Sequence, residues 1–405
     1  MKYVSQPLKR FQILVGANAS GKTTFLDTVA FCADLLNRGL EDTIKSRADD
    51  FRDLIWLNEG LDFEIAIELE IPPILKENLK GDYNICRYEL RIGEKYKGGS
   101  GSILAERLWL KQNGEKKQEQ QYRLEFPSIV NSPNSIITSG RTPRDWRVVV
   151  KKEEGRAQDY FKAETTDWNN PFKLGPYKSA FANLPEDETK FPVATWLKGY
   201  LKGYVQTLKL NSEAMRKSTP PGQPTEFRPD GSNLPSVVKA LMKRDHRRLN
   251  DWIKHIRTAL PEITNIKVVQ RPDDRFLYFK VRYENGLEAP SWLISDGTLR
   301  MLALTLIAYI PGLHGLFLIE EPENGIHPKA VETVFQSLSS VYEAQILIAT
   351  HSPVILGVAN LDDILCFAKT QDGATDIVWG PVHPRLKDWQ GDVNLGTLFA
   401  SGVLG

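Results

Sequence analysis

A chain of 405 residues that is 41% hydrophobic and 25% charged has the composition of a globular protein, with room for two or three domains of ordinary size. A net charge of +1 excludes a uniformly basic or acidic surface, so any contact with nucleic acid has to be a local patch. The cysteines Cys32, Cys86 and Cys366 form neither a metal-ligand spacing nor a disulfide framework, no apolar run reaches membrane-spanning length and residues 1–6 carry no signal-peptide core, so a cytoplasmic location without membrane contact is expected.

In chain order, Phe11, Ile13, Leu14 and Val15 predict an apolar strand. Gly16-Ala17-Asn18-Ala19-Ser20-Gly21-Lys22-Thr23 follows and fits the phosphate-loop pattern G-x-x-x-x-G-K-[ST]. Phe25, Leu26, Val29, Ala30 and Leu36 then predict an amphipathic helix that stops at Gly39. Glycines let the backbone curl until successive N–H groups point inward at phosphate oxygens, and the helix start adds its positive dipole end. Lys22 brings a point charge to β- and γ-phosphates, and the Thr23 hydroxyl suits Mg²⁺. Alternating segments at 63–71, 86–92 and 103–110 predict an antiparallel meander. Residues 111–235 are polar and read as an insertion with short elements; within them Glu115-Lys116-Lys117 needs only a solvated loop, Glu188-Thr189-Lys190 a charged loop and residues 218–224 an exposed one. Residues 234–260 predict one long helix ending before Pro261, with Lys243, Arg244, His246, Arg247, Arg248, Lys254, His255 and Arg257 along it. Such a face is either simply solvated or a contact for a phosphate backbone. A hairpin around Pro272-Asp273-Asp274 comes next.

Residues 299–310 are apolar nearly all round and predict a buried helix. Ser295-Asp296-Gly297-Thr298 before it is an ordinary helix cap or a second anion cradle, the latter sensible if it serves the nucleotide of another subunit. The runs 316–319 and 346–349 read as central strands covered on both faces. Glu320 and Glu321 end the first run, where one carboxylate suits the Mg²⁺ shell and its neighbour the attacking water. His351 follows the second run, at the sheet edge where open α/β sheets bind ligands. A hairpin (364–368 and 376–382) and a small apolar tail (393–404) close the chain.

The phosphate loop, Ser295-Asp296-Gly297-Thr298, the 318–328 segment with Glu320 and Glu321, and Thr350-His351-Ser352-Pro353 together resemble the ABC-type ATPase head, within its RecF/SMC/OLD-like group. The resemblance implies an α/β P-loop NTPase fold: a mixed central sheet flanked by helices, an antiparallel β subdomain and an α+β insertion. It implies a discontinuous head (1–72 and 286–405), an insertion (73–235) and a helix-hairpin segment (236–285). ATP and Mg²⁺ are the implied cofactors. Gly16, Asn18, Ala19, Ser20, Gly21, Lys22, Thr23 and Thr24 would bind the nucleotide, Thr23 and Glu320 would serve Mg²⁺, and Glu321, Lys22 and His351 would be catalytic. Ser295, Asp296, Gly297 and Thr298 would act in trans, and Asn324, Gly325 and His327 would line the interface of a homodimer or higher oligomer. The chain departs from the family in having Glu320 where many heads have Asp, no Gln between Gln12 and Gln112 to serve as the loop glutamine, and only ten residues before Phe11. No Toprim-sized segment after His351 and no sustained heptads are expected, which implies a stand-alone bacterial defence ATPase with a separately encoded effector, often a nuclease. The alternative is a RecF-like, ATP-gated DNA clamp in recombination and repair.

Overall fold

In the computed structural model of the chain, the described residues are 1–94, 101–112, 123–129, 131–138, 140–155, 159–386, 389 and 393–402. The strands, in chain order, are β1 (Phe11–Gly16), β2 (Asp62–Glu70), β3 (Ile85–Gly93), β4 (Ser102–Lys111), β5 (Trp146–Glu153), β6 (Asp159–Lys162), β7 (Asn169–Phe172), β8 (Val205–Leu208), β9 (Ile263–Gln270), β10 (Leu277–Tyr283), β11 (Glu288–Pro290), β12 (Leu316–Glu320), β13 (Gln345–Ala349), β14 (Ile364–Lys369) and β15 (Thr375–Trp379).

The central sheet runs β15-β14-β1-β13-β12-β8. Every pairing in it is parallel except β14 with β15, so it is mixed, as expected. Successive residues of a strand point to opposite faces. Ile13, Val15, Phe317, Ile319, Ile346 and Ile348 accordingly pack into one core, and Leu14, Leu316, Leu318, Leu347 and Ala349 into another. Both faces are apolar because both are covered, which is why these strands read as unbroken hydrophobic runs rather than alternating ones. The helices Leu234–Arg244, His246–Ala259, Asp296–Leu306 and Pro328–Ser339 cover the first face. The helix Lys22–Arg38 covers the second through Phe25, Leu26, Val29 and Ala30.

The second sheet is the antiparallel meander β2 to β7. Its core takes Phe31, Cys32, Leu35 and Leu36 from the far end of the Lys22–Arg38 helix, and Val193, Ala194, Leu197 and Leu201 from the helix Pro192–Tyr204. The Lys22–Arg38 helix therefore spans both cores. Three buried carboxylates pin loops to this meander. Glu106 accepts from Tyr88 Oη (2.7 Å) and Ser179 Oγ (2.6 Å). Glu89 accepts from Trp109 Nε1 (3.0 Å) and Thr138 Oγ1 (2.6 Å). Glu164 accepts from the backbone N–H groups of Val193 (2.7 Å) and Ala194 (2.8 Å), which open the helix Pro192–Tyr204.

Burial pushes Glu164 up to about 7, against the pull of those two N–H groups and of Arg147. An acid whose folded value lies above its unfolded one stabilises fully below the unfolded value, and that contribution is lost as pH rises through the folded value. The wild type therefore loses roughly 1–3 kcal/mol relative to Glu164→Gln between pH 5 and pH 8. Urea midpoints of both proteins at the two pH values measure this; a pH-independent difference between them would refute it.

The third sheet, β11-β10-β9, contains the expected hairpin, with β9 and β10 antiparallel around 272–274. Several sequence expectations are corrected. The single long helix is two, broken at Asp245 (φ −152°, ψ 89°), whose carboxylate accepts from the Arg247 and Arg248 N–H groups and so starts the second helix. The 218–224 segment is not exposed throughout: Thr219 is buried and exchanges backbone hydrogen bonds of 2.7 and 2.9 Å with Leu277. β2 pairs into the meander, and β8 joins the central sheet beside β12. Glu115-Lys116-Lys117 and the end of the apolar tail lie outside the described residues. All three cysteines are buried as free thiols. Among the described residues no helix is long and apolar enough to cross a membrane.

Candidate functional site

The parallel strands β1, β12 and β13 end at one rim, and the sequence motifs follow from their ends. β1 finishes at Gly16, where a Cβ would stand 2.1 Å from the Phe367 carbonyl oxygen of β14. Only glycine lets the chain turn there so close to its neighbour. Gly21 closes the loop at φ +106° and caps the Lys22–Arg38 helix; a Cβ on it would meet Thr375 Oγ1 at 2.5 Å. The same Thr375 hydroxyl donates to the Ser20 carbonyl at 3.0 Å, fixing the loop against β15.

Within the loop, Lys22 Nζ donates to the carbonyls of Gly16 (2.8 Å) and Ala17 (2.9 Å). Burial lowers the Lys22 ammonium below its ordinary value, while Glu321 and Glu320 pull the other way. Ser20 Oγ is buried and has no hydrogen-bond partner among the described residues, an unmet polar group of the kind that a ligand satisfies. Asn18, Ala19, Thr23 and Thr24 are exposed around the loop.

β12 carries its carboxylates to the same place. Glu320 is the last strand residue, in register with Ala349, and its Oε2 accepts from Thr23 Oγ1 at 2.5 Å. Glu321 takes a left-handed conformation (φ +46°), which turns the chain sharply off the strand. Its N–H still donates to the Ala349 carbonyl at 2.8 Å, and the Asn324 carboxamide donates to its carboxylate. Glu323, given no role by the sequence reading, holds the end of β13: its Oε1 accepts from Thr350 Oγ1 (2.6 Å) and from the His351 N–H (3.2 Å). Burial, and then the Lys22 charge, lowers the His351 imidazole below its usual value, opposed by Glu321 and Glu323. Lys22, Thr23, Glu320, Glu321 and His351 thus act on one another although the sequence separates Lys22 from His351 by more than three hundred residues.

Ser295 caps the helix Asp296–Leu306, accepting from the Thr298 N–H at 3.3 Å. Gly297 lies so near the segment between β12 and the helix Pro328–Ser339 that a Cβ would meet the Gly325 carbonyl at 2.4 Å. His327 caps the helix Pro328–Ser339 through Lys329. Asp296 pairs with Arg216 and shares with Glu320, Glu321 and Asn324 a cleft of about 770 Å³ whose opposite wall is residues 207–213. That wall begins within β8, which sequence reasoning missed. The strand beside β12 is β8, and its Gln206 lies in register with Phe317. A four-residue, half-polar strand gives no periodicity by which it could have been found.

Of the basic helix residues, Lys254 pairs with Asp251 and Arg248 with Asp245, and His255 faces inward, with Nδ1 at 2.9 Å from Tyr309 Oη. Glu188-Thr189-Lys190 forms a turn closed on Asp187.

Comparison with known proteins agrees with this architecture. A head domain of SMC, in its crystal structure with the C-winged-helix domain of ScpA, superposes with a TM-score of 0.52 at 15% identity, covering 92% of this chain and 91% of that one. The two share a fold. The probable ATPase of retron Vc95 from Vibrio cholerae serotype O1 biovar El Tor is 27% identical over 122 residues, which cover 27% of this chain and 23% of that relative. The AAA domain described as "putative AbiEii toxin, Type IV TA system" matches residues 11–357, from β1 through the helix after His351. With that match spanning most of its length, the chain belongs to this family of AAA domains.

Proposed function

We propose that the protein is a magnesium-dependent ATPase that closes on a second copy of itself when ATP is bound, and that this cycle regulates a separately encoded effector, a nuclease, in a bacterial defence system. The observation that carries the reading is the 2.5 Å hydrogen bond from Thr23 to Glu320, which joins the phosphate loop to the tip of β12. Mg²⁺ favours one or two protein oxygens with phosphates and water completing its shell. Thr23 and Glu320 fit that need, and among the described residues no cluster of three or more His, Cys, Asp or Glu offers a different metal site. Bound there, the ion would neutralise charge on the phosphates.

The chain's own groups divide the remaining work. Loop N–H groups and Ser20 Oγ bind phosphate oxygens, and Lys22 turns from the Gly16 and Ala17 carbonyls toward the β/γ-phosphates. Glu321, held by Asn324, accepts a proton from the attacking water. His351 hydrogen-bonds the γ-phosphate. Ser295 and Gly297 of one copy complete the enclosure of the nucleotide on the other. The family description supports a toxin or defence setting, and the retron relative's name supports ATP hydrolysis. Phosphate release from ATP should vanish in excess EDTA and return with Mg²⁺; hydrolysis that persists in EDTA would overturn the metal-dependent reading.

The second reading, an ATP-gated DNA clamp, is favoured by the exposed Lys243, Arg244 and Arg247. Phosphate contacts give affinity a steep dependence on salt, so a flat titration of duplex binding would remove it.

A further inference from the structure

Outside the ATP cleft, a second cleft of about 580 Å³ opens between the short helix Ser212–Arg216 and residues Arg271, Phe276 and Trp292. Its lining joins two chemistries. Trp292 is 47% exposed, an unusual position for so large a ring, and is braced by Tyr278 with centroids 5.1 Å apart. Phe276 continues the apolar floor, while Lys217 and Arg271 bring positive charge to the rim. The Arg271 guanidinium makes exposed contacts with Asp274 (3.2 Å) and Ser218 Oγ (2.8 Å) and lies 6.0 Å from the centre of the Tyr278 ring. Such pairs are weak, so the guanidinium is available to an incoming anion. An exposed aromatic platform beside cations recognises an unstacked base followed by its phosphates. In a duplex the bases are stacked inside and cannot lie flat on an indole, so the fit is to a single strand.

The two clefts share a wall. Glu213 and Arg216 line both. From that wall Arg216 grips the segment that starts the Asp296–Leu306 helix at three points: its carbonyl accepts from Ser291 Oγ (3.0 Å), its guanidinium donates to the Ile294 carbonyl (3.1 and 3.3 Å), and it pairs with Asp296. Trp292 lies inside that gripped segment. A ligand seated on Trp292 therefore pushes on the residues that set Ser295.

We propose that this cleft binds a segment of single-stranded nucleic acid, a base on Trp292 and its phosphates on Lys217 and Arg271, and that Arg216 transmits its occupancy to the Ser295–Thr298 turn. Binding stands apart from the ATPase reading; the effect on turnover rests on it.

The test uses the full chain, a fluorescent oligothymidylate of about 16 nucleotides, the upper range of such sites, and a duplex of the same length. Anisotropy should show the single strand bound in preference to the duplex. Trp292→Ala should weaken binding about tenfold or more, the scale of one lost stack, and Trp292→Phe should retain most of it. Lys217→Glu should weaken binding and make it less salt-dependent, as loss of a phosphate contact requires. Phosphate release without oligonucleotide should be unchanged in Trp292→Ala, which separates failure of this site from failure of the ATPase. With oligonucleotide, wild-type turnover should change at least about twofold, while Arg216→Lys, which keeps the charge but not the two-pronged grip, should bind the strand and lose that response. No binding by the wild type, equal binding by Trp292→Ala, or equal preference for duplex overturns the site. A response that survives in Arg216→Lys overturns the relay.

Discussion

Glu321→Gln binds ATP as the wild type does and hydrolyses it at least about a hundredfold more slowly, the scale expected when a general base is lost. The substitution isolates proton acceptance because it disturbs little else. The left-handed backbone at φ +46° stays, as does the hydrogen bond from the Glu321 N–H to Ala349. A carboxamide oxygen still accepts from Asn324, so the turn that leads to Gly325 and His327 keeps its shape. What disappears is a group able to take a proton from water. Because the nucleotide persists uncleaved, the closed form accumulates, and light scattering of this variant with ATP should report a dimer or larger assembly while the protein without nucleotide does not. Wild-type turnover assigns the base elsewhere. A strict monomer with ATP bound removes the role of Ser295 and Gly297 across subunits and leaves the hydrolytic site as a property of one chain.

The elements legible in the sequence were those whose signal is local. β1, its loop and the helix after it announce themselves through an apolar run, two glycines at fixed spacing and a 3.6-residue repeat, all within residues 11–38. β12 and β13 were readable because two-sided burial demands an unbroken apolar run, and the chemistry had to sit where those runs stop. What failed needed long-range information. β8 has the short, half-polar sequence Val205-Gln206-Thr207-Leu208 and is a strand only because β12 offers it an edge. The break at Asp245 was hidden because an aspartate inside a helical repeat looks like one more polar position until its side chain turns back to cap the following turn. Thr219 sits among prolines that punctuate a loop, yet Leu277 buries it. The work of Glu323 was unreadable for a similar reason: its partners, Thr350 and His351, come from the neighbouring strand's end. The convergence of Lys22, Glu320, Glu321 and His351 lies between these cases, since each position was local but their meeting depended on the order β1-β13-β12.

Lys22→Ala abolishes hydrolysis and weakens nucleotide binding by about a hundredfold or more, the 2–5 kcal/mol typical of deleting one partner of a buried charge pair. Lys22 is 6% exposed, so its ammonium works in a setting where charge is poorly screened by water. The side chain also has a structural task, because it satisfies the carbonyls of Gly16 and Ala17. Its removal leaves those oxygens without their donor and costs stability of about 1–3 kcal/mol, so loss of binding alone would not separate charge from fold. Lys22→Arg separates them. It keeps a cation and donors for the two carbonyls, yet its planar fork fits poorly in a loop so tight that a Cβ added to Gly16 or Gly21 would stand 2.1 or 2.5 Å from a neighbouring atom. If Lys22 is the phosphate ligand, Lys22→Arg stays folded by circular dichroism and still fails to turn over ATP, and both variants bind a fluorescent ATP analogue weakly. If Lys22→Ala hydrolyses ATP at the wild-type rate, the loop is only a glycine-rich turn, and the hydrogen bond between Thr23 and Glu320 holds two elements of the fold together without serving a nucleotide.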